Sequence, residues 1–127
     1  GTEVVFDHVS PTHRIAREEI FGPVLSVIRV ASVEEAIAVA NGVEFGLTGS
    51  VYTRDLGRAF EVVQRLDTGI TQVNAPTMGG EAHFPFGGCK ATAVGPKEMG
   101  PDAWRFFSEP KTVYMNHRLA PRTAGFY

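Results

Sequence analysis

The sequence predicts an α/β fold, a parallel sheet with helices packed on it. Three observations carry this. Val24-Leu25-Ser26-Val27-Ile28-Arg29-Val30 is an almost continuously apolar, β-branched run, the pattern of a strand buried on both faces. Two amphipathic stretches follow, each behind a capping residue. They alternate with two further apolar runs, and the order strand, helix, strand, helix, strand implies parallel strands joined by right-handed crossovers.

Each element has its own signal. Val4, Val5 and Phe6 make a short first strand, and Ser10-Pro11-Thr12-His13 is a turn cluster. Gly22-Pro23 forms a corner ahead of the Val24 run, because Pro cannot donate to a ladder and holds its neighbour in extended or turn geometry. Ser32 caps the next helix. Glu35 three residues on completes a capping box, in which hydroxyl and carboxylate each satisfy an orphan backbone N–H. Val33, Ala36, Ile37 and Ala40 recur at helical spacing as one apolar face. Asn41-Gly42 ends that helix, since both residues tolerate the left-handed conformation. Leu47 to Tyr52 reads as a second strand. Asp55 caps a helix whose stripe is Leu56, Ala59, Phe60, Val63 and Leu66, and Gly69 closes it. Ile70 to Val73 is a third strand.

From Asn74 to Gly100 the period disappears into a long irregular segment rich in glycine and proline. Loops of this length inside a domain are functional or disordered. This one begins at the C-terminal end of a parallel strand, where α/β folds collect ligands. Pro101 to Phe107 is a short helix with Pro at its first position and Asp102 in its first turn. Thr112 to Met115 reads as a last strand, and 116–127 has no period.

Composition narrows the function. The 127 residues suffice for one domain with a real core; chains of this size bury roughly two thirds of their surface. Apolar content of 43% and charged content of 20% are ordinary for a soluble chain. A net charge of −2 offers no basic stripe for nucleic acid. No apolar run approaches the ~20 residues that span a membrane, and Gly-Thr-Glu-Val-Val lacks the regions of a signal peptide. A single cysteine, Cys89, cannot build an internal disulfide, which fits a reducing, cytoplasmic compartment.

The chemistry concentrates at Glu18-Glu19-Ile20-Phe21-Gly22-Pro23-Val24. A carboxylate and an aromatic ring beside a sharp turn suit a ligand with hydroxyls and a flat face. Residue types alone leave a second reading open, with Glu19 as a solvated loop residue and Phe21 as a core plug. The stretch resembles the Glu-x-Phe-Gly-Pro motif of the aldehyde dehydrogenase superfamily. Further blocks resemble that family in the same order: Ala36 to Asn41, Phe45-Gly46-Leu47-Thr48, Val51 to Asp55, Asn74-Ala75-Pro76-Thr77, and Phe84-Pro85-Phe86-Gly87-Gly88-Cys89-Lys90. The resemblance runs from about Glu3 to Tyr114.

The resemblance implies the C-terminal part of the catalytic domain over residues 1–109, with an oligomerisation strand and tail over 110–127. It implies NAD or NADP as cofactor, a small-molecule aldehyde as substrate, and a homo-oligomer, dimer or tetramer, in the parent enzyme. Glu19 would accept hydrogen bonds from ribose hydroxyls on the nicotinamide side, since an ionised carboxylate is acceptor-only. Phe21 would pack near the nicotinamide. Phe86, Phe84 and Gly80 would line the substrate entrance, a fairly roomy pocket beside Met78; Phe86 as a loop-fixing packing residue is the competing reading. The family's nucleophilic cysteine, general-base glutamate and Rossmann domain belong upstream of these blocks. The chain therefore reads as a fragment or the product of a truncated gene, and inactive in isolation. A non-catalytic, self-associating module on the same fold is the alternative.

Other candidates are set aside. Cys89 stands at a variable position between Gly-Gly and Lys90, outside the family's nucleophile motif. Lys90 suits loop anchoring, and the four histidines show no metal spacing with Cys89 or a carboxylate. Arg17 and Glu18 are expected to pair at the surface. Thr92-Ala93 departs from the family's Ser-Gly, and Ala93 lacks a glycine's freedom at positive φ.

Overall fold

A computed structural model describes residues 3–115. The order is β1 (Val4–Phe6), α1 (Arg14–Arg17), β2 (Val24–Ser26), α2 (Val33–Asn41), β3 (Phe45–Gly46), β4 (Thr48–Val51), α3 (Leu56–Arg65), β5 (Ile70–Val73), β6 (Cys89–Lys90), a 3₁₀ turn (Gly100–Asp102) and α4 (Ala103–Phe107). The fold is α/β with parallel strand pairs, as expected. The single continuous sheet is not found. Among the described residues the strands make three separate pairs, β1 with β2 and β4 with β5 in parallel, β3 with β6 antiparallel.

Helix ends form as their residues dictate. Glu35 N donates to Ser32 Oγ at 3.1 Å, and Arg58 N donates to Asp55 Oδ1 at 3.0 Å. The return half of the first cap shifts by one residue: Glu35 Oε2 accepts from Ala31 N at 2.7 Å. Gly42 terminates α2 at φ −75, outside the left-handed region. The work falls on Asn41, whose amide donates to Arg65 O at 2.8 Å and accepts from Asp67 N at 2.9 Å. One side chain thus ties the end of α2 to the end of α3.

Several expected elements differ. Strand β2 stops at Ser26, and Leu25 is 59% exposed. Its one ladder neighbour is β1, so this chain does not bury both of its faces. The buried residues of α3 are Ala59 and Val62, while Leu56, Phe60 and Val63 face outward. The apolar stripe is wider than the surface α3 meets within the chain. For the same reason Ala40 of α2 is exposed. Gly69 closes no helix: α3 ends at Arg65, and Gly69 leads into β5. Thr112 to Met115 form no strand; among the described residues no strand pairs with them. The expected tail over 116–127 lies outside the described residues. The 74–100 segment holds more order than its composition suggests, with β6 and a two-way bridge between Phe86 and Glu98 at 2.6 and 3.0 Å.

Among the described residues the core consists of Val9, Ile37, Ala59 and Val62. An open cleft of about 850 Å³ separates residues 16–19 from α2, β4 and α3, with Ile37, Val51, Val62 and Leu66 in its wall.

Candidate functional site

The first candidate site is built by the exit from α1. Arg14 sits one turn before Glu18, and its guanidinium makes two hydrogen bonds to that carboxylate, Nε to Oε1 and Nη2 to Oε2, both 2.8 Å. This is an i,i+4 pair on one helical face. It replaces the expected Arg17–Glu18 pair, since adjacent residues point apart on a helix. The pair holds the Glu18 carboxyl below its ordinary range and raises Arg14. With Glu18 engaged, Glu19 is in no such ion pair among the described residues.

Beyond Glu19 the chain turns sharply. Val24 N donates to Gly22 O at 2.8 Å, closing a three-residue turn on Pro23. The left-handed residue is Phe21, at φ 55, and its neighbour Gly22 is not. The conformation of Gly22 is restricted by Pro23, so the strain falls one residue earlier, at a cost of about 1–3 kcal/mol. The Phe21 ring is 92% exposed. The core-plug reading is thereby removed for this chain. Glu19 borders two clefts, the large one already described and a smaller one of about 360 Å³ that includes Ile20, Phe21 and Gly22. An acceptor carboxylate beside an outward-facing ring fits a ribose carrying a flat base.

The second candidate site lies along β5. Ile70, Thr71 and Gln72 form the floor of a cleft of about 570 Å³, walled by Met78, Gly80, Phe84 and Phe86. A Cβ on Gly80 would stand 3.7 Å from the Phe86 ring, so Gly80 marks the width of the opening there. The His83 and Phe84 rings meet at a tilt of 40°, with centroids 4.1 Å apart. The three residues expected at the substrate entrance are therefore brought together. Glu19 and Phe21 line a different cleft, and no residue is shared between the two.

Cys89 belongs to neither site. Its Sγ donates to Asp67 O at 2.9 Å, and a Cβ on the facing Gly46 would lie 2.6 Å from it. The thiol packs the β3–β6 pair. Lys90 Nζ donates to Asn41 O at 3.0 Å and Val43 O at 3.2 Å, anchoring the loop after α2. The Thr92 Oγ1 accepts from Gly46 N at 2.8 Å. Ala93 is not among the residues at positive φ, and Gly95 takes that conformation at φ 126. Among the described residues no cluster of His, Cys, Asp or Glu could hold a metal.

One residue was not singled out from the sequence. Asn74 stands at φ 55 immediately after β5 and bonds Thr53 in both directions. An Asn directly behind an apolar strand was the available signal, since Asn tolerates the left-handed region.

Residues 2–113 match the sequence model of the aldehyde dehydrogenase family. This chain belongs to that family. A curated relative, the alpha-ketoglutaric semialdehyde dehydrogenase of Bacillus subtilis, is 42% identical over 111 residues, covering 87% of this chain and 23% of that protein. The betaine aldehyde dehydrogenase of Rhizobium leguminosarum is 47% identical over 111 residues, covering 87% and 22%. Among solved structures, an NAD-dependent aldehyde dehydrogenase from Sinorhizobium meliloti superposes with a TM-score of 0.83 at 37% identity, covering 94% of this chain and 24% of that one. The chain spans about a quarter of the length of these aldehyde dehydrogenases. Among the described residues no helix is long and apolar enough to cross a membrane.

Proposed function

We propose that this chain is the C-terminal part of the catalytic domain, residues 1–109, with an oligomerisation segment, 110–127, of a cytoplasmic NAD(P)⁺-dependent aldehyde dehydrogenase that works as a homodimer or homotetramer. The parent reaction oxidises an aldehyde to its carboxylic acid. The bound nicotinamide cofactor supplies the hydride acceptor. Glu19 receives the ribose hydroxyls as an acceptor-only group, and Phe21 sets one face of the nicotinamide. Both position the cofactor and neither exchanges a proton or forms a bond. Phe86, Phe84 and Gly80 line the path by which the aldehyde arrives.

The observation that carries this reading is Phe21. A large aromatic residue held in a strained, left-handed turn and 92% exposed, beside a carboxylate that makes no ion pair among the described residues, is costly unless something covers it. Relatives named for different aldehydes stand at 42% and 47% identity, so resemblance supports the reaction and not one substrate. The test is made in the full-length enzyme that contains these residues. Glu19→Gln is expected to lower kcat/KM for the nicotinamide cofactor by about tenfold or more, with the aldehyde KM little changed. Wild-type cofactor kinetics in that variant would remove Glu19 from the site.

A second reading is favoured by the wide exposure of Leu25, Phe60 and Trp104: a non-catalytic module of the same fold that self-associates through those surfaces.

A further inference from the structure

We propose that Asn74 is a positioning residue for the loop that forms the substrate entrance, and that its two-way clasp on Thr53 governs how well bulky aldehydes are admitted. The inference rests on reading Gly80, Phe84 and Phe86 as that entrance, and adds what holds it in place.

Thr53 N donates to Asn74 Oδ1 at 2.8 Å, and Asn74 Nδ2 donates to Thr53 O at 3.0 Å. Both partners on Thr53 are backbone atoms, so the clasp fixes the chain just beyond β4 against the chain just beyond β5. These are the C-terminal ends of two parallel strands in register from Thr48 with Ile70 to Val51 with Val73. The β-ladder would otherwise end at Asn74 N to Val51 O, 2.8 Å. The clasp extends it through a side chain. A second bond follows at once, Ser50 Oγ to Ala75 O at 2.6 Å. The loop thus leaves β5 in one direction only.

Its far end is held as firmly. Phe86 and Glu98 exchange two backbone hydrogen bonds, and Gly69 stands so close to Gly87 that no side chain fits between. Between the two anchors lie Met78, Gly79, Gly80, Glu81, Phe84 and Pro85, which line the cleft. Gly79, at φ 90, has open space about it. Gly100 N donates to Ala82 O at 3.1 Å and Phe84 N to Glu81 O at 2.9 Å, so the loop presents its aromatics at a set spacing. The turn alone would be met by glycine, which adopts φ near 55 without strain. The asparagine amide adds an acceptor and a donor to the same neighbouring residue, which glycine cannot.

The consequence is an ordering cost. If the clasp is lost, the loop must be immobilised when substrate binds, and binding weakens accordingly. The effect grows with the area of loop the substrate covers, so bulky aldehydes suffer more than acetaldehyde.

The experiment is steady-state kinetics of the full-length enzyme containing these residues, with acetaldehyde and an aromatic aldehyde. The variants are Asn74→Gly, which keeps the left-handed turn and removes both bonds, Ser50→Ala, and Phe86→Ala. Asn74→Gly is expected to raise the aromatic aldehyde KM by about tenfold, with a smaller rise for acetaldehyde and an unchanged cofactor KM. Ser50→Ala should move the same way by less, and it decides the question if Asn74→Gly is not recovered folded. A Phe86→Ala shift in aldehyde KM without one in Asn74→Gly or Ser50→Ala overturns the clasp. No shift in Phe86→Ala overturns the entrance reading beneath it. An equal rise in aldehyde and cofactor KM marks general damage and also overturns the proposal.

Discussion

Gly69 shows how a single backbone atom can decide a fold. A Cβ placed there would lie 1.9 Å from Gly87 O and 2.7 Å from Gly88 Cα. Backbone cannot swing aside as a side-chain tip can, so Gly69→Ala is expected to destabilise by about 2–3 kcal/mol. A urea unfolding midpoint equal to wild type would show that the backbone at 87–88 yields freely. Lys97 Nζ also donates to Gly69 O, so the same residue is held from both sides. From sequence, Gly69 looked like a helix terminator. A glycine announces that something special happens at it, but not whether that is its own φ or a neighbour's approach. Phe21 taught the converse. Its neighbour Gly22 seemed the natural place for a left-handed turn, but the following proline confines that residue, and the strain settled on the ring-bearing position.

At the scale of elements, local chemistry was legible where it acts within one turn. Ser32 and Asp55 cap the two longest helices as their spacing implied. Ser32→Ala is expected to cost about 1 kcal/mol and to speed amide exchange in the first turn of α2; unaltered stability and exchange would mean that Glu35 and Ala31 hold the helix start alone. The buried face of α3 was not legible in this way. Leu56, Ala59, Phe60, Val63 and Leu66 share a helical stripe, but the surface that meets α3 within the chain covers Ala59 and Val62 and leaves Phe60 59% exposed. Periodicity reports which side of a helix prefers burial, not how much of it the chain itself can bury. The clasps of Asn41 and Asn74 were hidden for a related reason. Each joins segments more than twenty residues apart, and nothing near either asparagine in sequence names its partner.

For the whole molecule, the small core and the broad apolar exterior belong together. Val9, Ile37, Ala59 and Val62 are buried, while Phe6, Leu25, Phe60, Trp104 and Phe107 are exposed. Surfaces of this kind associate in water. The isolated 127-residue chain is expected to self-associate in light scattering and to reduce neither NAD⁺ nor NADP⁺ with any aldehyde. A well-folded monomer would contradict the first expectation, and turnover abolished by Cys89→Ala would contradict the second, with Cys89 then the nucleophile. What the sequence by itself determined is the family, the α/β class, the N-terminal caps of the two longest helices, and the residue types at the two clefts, because motifs and short-range periodicity are properties of neighbouring residues. Only the tertiary structure decided that the strands form three pairs, that Phe21 faces outward, that the Phe84–Phe86 loop and the Glu19 turn line separate clefts, and that Asn74 ties the end of β4 to the end of β5. Each of those depends on which distant segments meet, and on which surfaces the chain has too little of itself to cover.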